Sequence, residues 1–396
     1  MHNVRLITRW AHKARTAFLC AVLAAGAGCG GESEVGSAPA YPQDGTLRLN
    51  QLQALGSHNS YHVRPRPELL AALLQALGTT AEGFEYTHVP LPDQFNAQGI
   101  RQIELDVFAD PEGGLFANRV ALGLIGQDPA SGIPALDAPG FKVLHVQDID
   151  FESTCWTFVE CLTAVKAWSD AHPGHMPILI LIEVKDETIP LAGAAVPVSI
   201  GAAEFDALET EIRSVFPVEH IITPDEVRGG HATLEGAVRT DGWPTLGASR
   251  GRVFFALDNG GEKKAAYLEG HPALEGRLMF TSSLPGEPEA AFVKLNDPIG
   301  DFDQIRQVVA DGFIVRTRAD AETVQARTGD TTMRDAALAS GAQFVSTDYP
   351  VPDPQFGTGY AVEIPGGTPA RCNPISAPAA CTPSDIETPD ALDTAT

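Results

Sequence analysis

Basic residues are scarce in this chain. Its 396 residues include 27 lysines and arginines against 51 aspartates and glutamates, which gives a formal net charge of -24. A chain this acidic repels nucleic acids and anionic membrane surfaces as a whole, so we expect no nucleic-acid partner. An anionic substrate would have to be attracted by a bound metal ion or by a few placed basic side chains. A general adaptation to solubility or to salt would produce the same acidity.

Long apolar runs are absent after the first 28 residues. The apolar run at 17–27 is too short to cross a bilayer, and it follows a basic stretch that ends at Arg15. These features predict a signal peptide over residues 1–28 and an exported protein. The small residues before Cys29 resemble the bacterial lipoprotein signal, so lipidation of Cys29 and plain secretion are both open. Residues 29–47 are predicted to be a flexible tether.

Cysteine is also infrequent, with six residues in the whole chain. Four of them lie after the predicted signal peptide and Cys29. Four cysteines allow three pairings. Proximity favours two short-range disulfides, Cys155–Cys161 and Cys372–Cys381. Thr157 and Glu160 have the spacing of a capping box, which would begin a helix between the first two cysteines and bring them within bridging reach. In an exported protein, disulfides are favoured over metal binding.

The chain does have a regular alternation of short apolar runs with amphipathic stretches. Nine runs are predicted strands, near 54–57, 101–108, 141–146, 178–184, 252–257, 277–281, 291–295, 312–316 and 343–346. Predicted helices lie between several of them, at 67–77, 157–171, 203–215, 302–310 and 331–339. This alternation predicts an α/β fold, a (β/α)8 TIM-type barrel that forms a single catalytic domain over residues 48–352.

Nine strands are one more than such a barrel needs. We expect that either 277–281 or 291–295 is a loop. A doubly wound open sheet is the alternative architecture, but no glycine-rich phosphate-binding motif follows the first predicted strand. Residues 353–396, rich in proline, threonine and aspartate, are predicted to be an irregular tail held by the Cys372–Cys381 disulfide.

Polar side chains cluster at the ends of the first four predicted strands, where barrel enzymes keep their active sites. They are His58, Asn59, Glu104, Asp106, His145 and Glu183. Residues two apart in a strand share a face, so Glu104 and Asp106 point the same way. Buried carboxylates require a cation, and an amide oxygen with three carboxylates suits calcium or magnesium rather than zinc. Two nearby histidines can transfer protons near neutral pH.

Four motifs carry a resemblance to a known family. They are His58-Asn59-Ser60-Tyr61 after the first strand, Glu104-x-Asp106 on the second, His145 after the third and Glu183-x-Lys185 on the fourth. Together they resemble the phosphoinositide phospholipase C barrel, and above all its bacterial calcium-dependent branch. Further matches at 292–294, 312–320 and 340–350 extend the resemblance over residues 48–352.

The resemblance implies a role for each matching residue. The family's catalytic histidines correspond to His58 and His145. Its calcium ligands correspond to Asn59, Glu104, Asp106 and Glu183. Its contacts to phosphate or inositol correspond to Lys185, Lys294 and Arg318.

The resemblance also implies a reaction and a substrate. The inositol 2-hydroxyl of phosphatidylinositol attacks phosphorus and releases diacylglycerol and a cyclic inositol phosphate, which water can then open. The substrate is a phosphoinositide lipid at a membrane surface, and no obligate protein partner is evident. The general base is either a histidine or a carboxylate such as Glu104.

Two alternatives remain at the level of the sequence. Glycerophosphodiester phosphodiesterases use the same barrel, but they carry Arg-Gly after the first histidine, where this chain has Asn59-Ser60. A calcium-dependent surface binding protein with a decayed site is the other alternative. The presence of both His58 and His145 argues against it, because a binding protein need not keep them.

Overall fold

The computed structural model describes residues 41–388. The predicted signal peptide, Cys29 and most of the predicted tether lie outside the described residues. No helix in the described part of the chain is long and apolar enough to span a bilayer.

Strands are distributed along the whole described range. They are β1 (Leu52–Ser57), β2 (Ile100–Phe108), β3 (Lys142–Val143), β4 (Ile178–Val184), β5 (Val253–Leu257), β6 (Met279–Thr281), β7 (Phe292–Lys294), β8 (Ile314–Arg318), β9 (Phe344–Thr347) and β10 (Ala370–Cys372).

Helices connect most of these strands. They are α1 (Pro67–Leu77), α2 (Thr79–Glu82), α3 (Leu91–Ala97), α4 (Val120–Leu124), α5 (Pro134–Asp137), α6 (Phe158–Ala171), α7 (Ala202–Val215), α8 (Pro224–Arg228), α9 (Leu234–Thr240), α10 (Leu246–Ser249), α11 (Gly261–Leu268), α12 (Phe302–Ala310), α13 (Val324–Thr328) and α14 (Thr332–Ser340). Short 3-10 turns lie at Leu49–Gln51, Val218–His220 and Pro383–Asp385.

Within residues 41–388, eight strands form a nearly closed parallel barrel. Their order around it is β6-β5-β4-β2-β1-β9-β8-β7. A parallel bridge between Ser282 and Phe292 joins the two ends of this series. The apolar residues at 178–182 of β4 are fully buried, as expected for a strand between the barrel interior and the surrounding helices. The predicted (β/α)8 barrel is confirmed.

One of the nine predicted strands lies outside the barrel, but it is not one of the two segments that we expected to be a loop. Segments 277–281 and 291–295 both contain barrel strands, β6 and β7, each three residues long. In segment 141–146 only Lys142 and Val143 form a strand, which pairs antiparallel with the end of β2 and lies outside the barrel order. The buried ammonium of Lys142, 3.2 Å from Asp110, helps to hold this pairing. His145 therefore lies in a loop after β3 and not at the end of a barrel strand.

The N-terminal face of the barrel, where the strands begin, is covered by both flanks of the described chain. On one flank, Asp44 forms an ion pair of 2.7 Å with Arg250, which precedes β5. On the other flank, Glu387 forms a fully buried ion pair with Arg101 at the start of β2. The two flanks therefore close the end of the barrel opposite to the predicted site.

The chain after residue 352, predicted to be irregular, contains one short strand. This strand, β10, pairs antiparallel with β1, so that Cys372 lies opposite Leu52. The predicted disulfide between Cys372 and Cys381 is present. The segment thus adds a strand beside β1 at the barrel wall.

The second predicted disulfide, between Cys155 and Cys161, is also present. Helix α6 begins directly after Thr157, whose side chain accepts a hydrogen bond of 3.1 Å from the backbone N–H of Glu160. Cys155 therefore precedes the helix and Cys161 lies in its first turns. Their Cα atoms are 5.4 Å apart, within the range that a disulfide needs.

Candidate active site

Three carboxylates meet at the C-terminal face of the barrel, where the strands end. Glu104 and Asp106 share a face of β2, and Asp106 lies directly opposite Glu183 on β4. One oxygen of each carboxylate lies within 4.8 Å of the others. Burial raises the pKa of Glu104 to about 7 and raises that of Asp106 well above its ordinary value. Such a cluster of buried carboxylates is stabilised when a cation neutralises it.

Asn59 adds an amide oxygen beside this cluster. Its backbone has a φ of +43°, a left-handed conformation that asparagine tolerates. The next residue, Ser60, donates its backbone N–H to the Glu104 carbonyl at 2.9 Å, which places Asn59 against β2. The Asn59 amide nitrogen donates to the Tyr86 hydroxyl at 3.1 Å, so its Oδ1 is free to bind a metal ion.

The oxygens of Asn59 and of the carboxylate cluster have the properties that a binding site for a hard cation requires. Asn59 Oδ1 and both carboxylate oxygens of Asp106 are buried and accept no hydrogen bond from any described residue. Buried oxygens without a donor are costly unless something else satisfies them. An all-oxygen set of one amide and three carboxylates is the kind that calcium prefers, with water or substrate completing its six to eight ligands. The residues present therefore fit calcium.

Basic side chains surround the carboxylates. Lys185 Nζ lies 3.3 Å from Asp106 and 3.4 Å from Glu183. Arg316, which is 1% exposed, donates to the Glu104 carboxylate and, at 2.9 Å, to the Ser346 hydroxyl.

The other two predicted phosphate contacts also lie at this face. Lys294, the last residue of β7, forms an ion pair with Asp258, which follows β5. Arg318, the last residue of β8, lies with Nη1 3.4 Å from His58 Nε2. Lys185 therefore contacts the carboxylate cluster and Arg318 contacts His58, whereas Lys294 binds Asp258, whose negative charge helps to raise the pKa of Glu104.

His58 follows β1 and is oriented by a carboxylate. Its Nδ1 lies 2.8 Å from Asp348, which follows β9, and its Nε2 lies 4.0 Å from Glu104. Arg318 also binds Asp348, at 3.1 Å. Burial, and after it the charge of Arg318, lowers the pKa of His58 to about 3 in spite of the opposing effect of Asp348. His58 is therefore neutral near pH 7, with Nδ1–H donated to Asp348 and an unprotonated Nε2.

His145 is oriented by a second carboxylate. Its Nδ1 lies 2.6 Å from Asp150, and the loop between them is closed by two backbone hydrogen bonds between Val146 and Asp150. Burial alone would raise the pKa of Asp150, but His62 and His145 outweigh it and lower that pKa to about 2. The His145 side chain is 21% exposed and can reach a bound substrate.

Several residues of this site were not predicted from the sequence. They are His62, Tyr86, Asp150, Arg316 and Asp348. Asp348 lies in one of the matching segments, 340–350, but nothing in the sequence indicates that it faces His58. Asp150 follows His145 by five residues, and the two side chains meet only because the loop between them is tight.

Comparison with protein families identifies a match over most of the chain. The model of the family "Phosphoinositide phospholipase C, Ca2+-dependent" matches residues 47–374. No sequence among the curated proteins matches the chain.

Solved structures with the same barrel are distant in sequence. The apo form of the calcium-dependent phosphoinositol-specific phospholipase C of a Pseudomonas species is 17% identical, with a TM-score of 0.51, and the match covers 85% of this chain and all of that one. Its myoinositol complex gives 17% identity, the same coverage and a TM-score of 0.50. A Ca2+-dependent phosphatidylinositol-specific phospholipase C from Streptomyces antibioticus is 19% identical over 77% of this chain and 95% of that one, with a TM-score of 0.47.

The structural likeness establishes the fold, and the family match covers both histidines, all three carboxylates and all three basic residues of the site. The chain therefore belongs to the Ca2+-dependent phosphoinositide phospholipase C family, and it is a phosphodiester-cleaving enzyme with calcium as its cofactor.

Proposed function

We propose that this enzyme cleaves phosphatidylinositol at a membrane surface to diacylglycerol and a cyclic inositol phosphate. One observation carries the proposal: two histidines, each bonded to its own carboxylate, lie at the same face as a calcium-compatible oxygen cluster. One group can thus remove a proton, another can supply one, and a cation between acidic side chains can hold the phosphate.

We assign the metal ligands to Asn59, Glu104, Asp106 and Glu183. Calcium bound there supplies positive charge that stabilises the attacking 2-hydroxyl and the phosphoryl oxygens. Lys185, Lys294 and Arg318 bind phosphate or inositol oxygens and draw the anionic head group into an otherwise acidic protein.

The proton transfers follow from the two histidine–carboxylate pairs. His58 Nε2 is unprotonated and accepts the proton of the inositol 2-hydroxyl as that oxygen bonds to phosphorus. His145, whose Nδ1 faces Asp150, supplies a proton from Nε2 to the glycerol oxygen as the bond from phosphorus to that oxygen breaks. Asp348 and Asp150 act as positioning residues that fix which ring nitrogen faces the substrate.

The test is an assay on phosphatidylinositol vesicles with and without a calcium chelator, with the products followed by 31P NMR. We expect a cyclic phosphodiester signal that appears only with calcium. Glycerophosphoinositol is the matched soluble substrate. Cleavage of that substrate with no cleavage of the lipid would indicate a glycerophosphodiesterase and contradict the proposal.

We also propose that the enzyme is exported. Its two disulfides are of the kind that persists in oxidising compartments. Lipidation of Cys29 would hold it at the cell envelope, and cleavage without lipidation would release it. Mass spectrometry of the purified mature chain separates a lipid-modified Cys29 from an unmodified N-terminus.

A further inference from the structure

His62 occupies an unusual position beside the second histidine–carboxylate pair. Its side chain is fully buried, and its ring stacks on that of Tyr86 with 4.1 Å between the centroids. Its Nδ1 lies 3.1 Å from the Tyr86 carbonyl oxygen. Its Nε2 lies 3.0 and 2.9 Å from the two carboxylate oxygens of Asp150, the residue that also binds His145.

These contacts tie His62 to the carboxylate partner of the second histidine. The Asp150 carboxylate lies within hydrogen-bond distance of His62 Nε2 and of His145 Nδ1 at the same time. These two side chains outweigh burial and lower the pKa of Asp150 to about 2, so Asp150 is an anion held between two imidazole rings.

A bound metal ion is the other arrangement that could join His62, His145 and Asp150, because imidazole and carboxylate groups are both common metal ligands. Ligands of a tetrahedral zinc ion at about 2.0–2.1 Å stand roughly 3.3 Å apart. The separations here are 2.6 Å from His145 to Asp150 and 2.9 Å from His62 to Asp150. Those are hydrogen-bond distances, so protons and not a metal ion join the cluster.

Backbone contacts hold His62 rigidly to the barrel. Its N–H donates to the Asn59 carbonyl at 2.8 Å, and its carbonyl accepts from the His88 N–H at 2.9 Å. Its carboxylate partner Asp150 belongs to the loop after β3, which also carries His145. His62 is thus the side chain through which the barrel itself fixes the loop that carries the second histidine.

We propose that His62 is a positioning residue for the reaction, which holds the Asp150 carboxylate so that His145 points at the substrate. The proposal rests on the proposed function of His145. Without His62, the Asp150 carboxylate would lose its contact with the barrel, and only the loop itself would orient His145.

Two substitutions of different kind test this role. His62→Leu removes the ring nitrogens that contact Asp150 and the Tyr86 carbonyl, whereas His62→Gln keeps an N–H donor toward Asp150. We expect His62→Leu to lower kcat by roughly ten- to a hundredfold, with KM and the half-saturating calcium concentration changed less than about threefold. His62→Gln should recover part of kcat.

A double substitution separates this inference from the proposed function. If His62 acts through His145, His62→Gln combined with His145→Ala should be no slower than His145→Ala alone. A folded His62→Leu with unchanged kcat, next to an inactive His145→Ala, would overturn the inference and leave the proposed function intact. Full activity of His145→Ala would overturn both.

Discussion

At the scale of single residues, the site is distinguished by buried oxygens that accept no hydrogen bond within residues 41–388. Asp106 has two of them, one of which lies 3.3 Å from the Lys185 ammonium, and Asn59 has one. The nearby histidines differ in this respect, because each has a carboxylate partner. Metal binding and proton transfer are thus assigned to different residues, and each can be changed separately.

Replacing Asp106 by asparagine keeps the shape of the side chain and removes one charge from the cluster. We expect the calcium concentration for half-maximal activity to rise by about tenfold or more, because ligand charge sets calcium affinity. A calcium titration of activity, with isothermal titration calorimetry of binding, measures the change. Asp303→Asn, an exposed change on α12, is the matched control. Equal calcium affinity for the wild type and Asp106→Asn would contradict the assignment.

Replacing His58 or His145 by alanine removes a proton-transfer group. We expect each to lower kcat by at least roughly a hundredfold, and to change KM far less, because the lost interaction belongs to the transition state. Steady-state kinetics on phosphatidylinositol vesicles provides the measurement.

The control for these substitutions has to be a histidine away from the site. His175 is unsuitable, because it is buried and bonded to the Ser169 hydroxyl at 2.7 Å, so its loss would affect folding. His220→Ala, in the turn after α7, is the better control and should leave kcat nearly unchanged. If the control damages activity as much as His58→Ala does, the active face has been misplaced.

At the scale of elements, the sequence predicted long helices and strands well and short ones poorly. Helices α1 and α12 begin and end where their apolar periodicity does, at 67–77 and 302–310. Strands β6 and β7 have three residues each, too few for a periodic pattern to distinguish them from a loop. Segment 141–146 has a good strand pattern, but only Lys142 and Val143 form a strand, which pairs antiparallel with the end of β2.

The same limit explains the site. Residues on or directly after long strands, such as Glu104, Asp106 and Glu183, were predicted from strand alternation and lie together as expected. The carboxylate partners of His58 and His145, which are Asp348 and Asp150, depend on how loops fold back toward the histidines, and hydrophobic periodicity carries no information on that. The sequence therefore predicted the residues on the strands, but it could not predict the side-chain contacts that depend on the paths of the loops.

The buried ion pair between Glu387 and Arg101 gives a prediction for the chain segment after the barrel strands. Glu387→Gln leaves the Arg101 guanidinium buried beside a neutral partner, which typically costs about 3–5 kcal/mol of stability. Denaturant unfolding monitored by circular dichroism measures the loss. Glu363→Gln, an exposed change in the same segment, should cost little. Equal stability of the two variants would show that this ion pair does not stabilise the fold.

At the scale of the whole molecule, calcium should act on folding as well as on catalysis. The metal binds the folded cluster and not the unfolded chain, so calcium at a hundred times its Kd should add about 2.7 kcal/mol of stability. Thermal unfolding with calcium and with chelator measures the difference. The stabilisation should be much smaller in Asp106→Asn, and a wild type that unfolds at the same temperature in both conditions would contradict the site.

The covering of the N-terminal face by both flanks determines how the enzyme can be mounted on a sensor chip. Thr46 is exposed and lies in the flank that packs on that face, whereas Ile299, 55% exposed, follows β7 on the opposite face. Coupling through a cysteine introduced at Thr46 orients the catalytic cluster toward the flowing solution, where it can meet vesicles. Coupling at Ile299 turns the same cluster toward the chip and shields it from them.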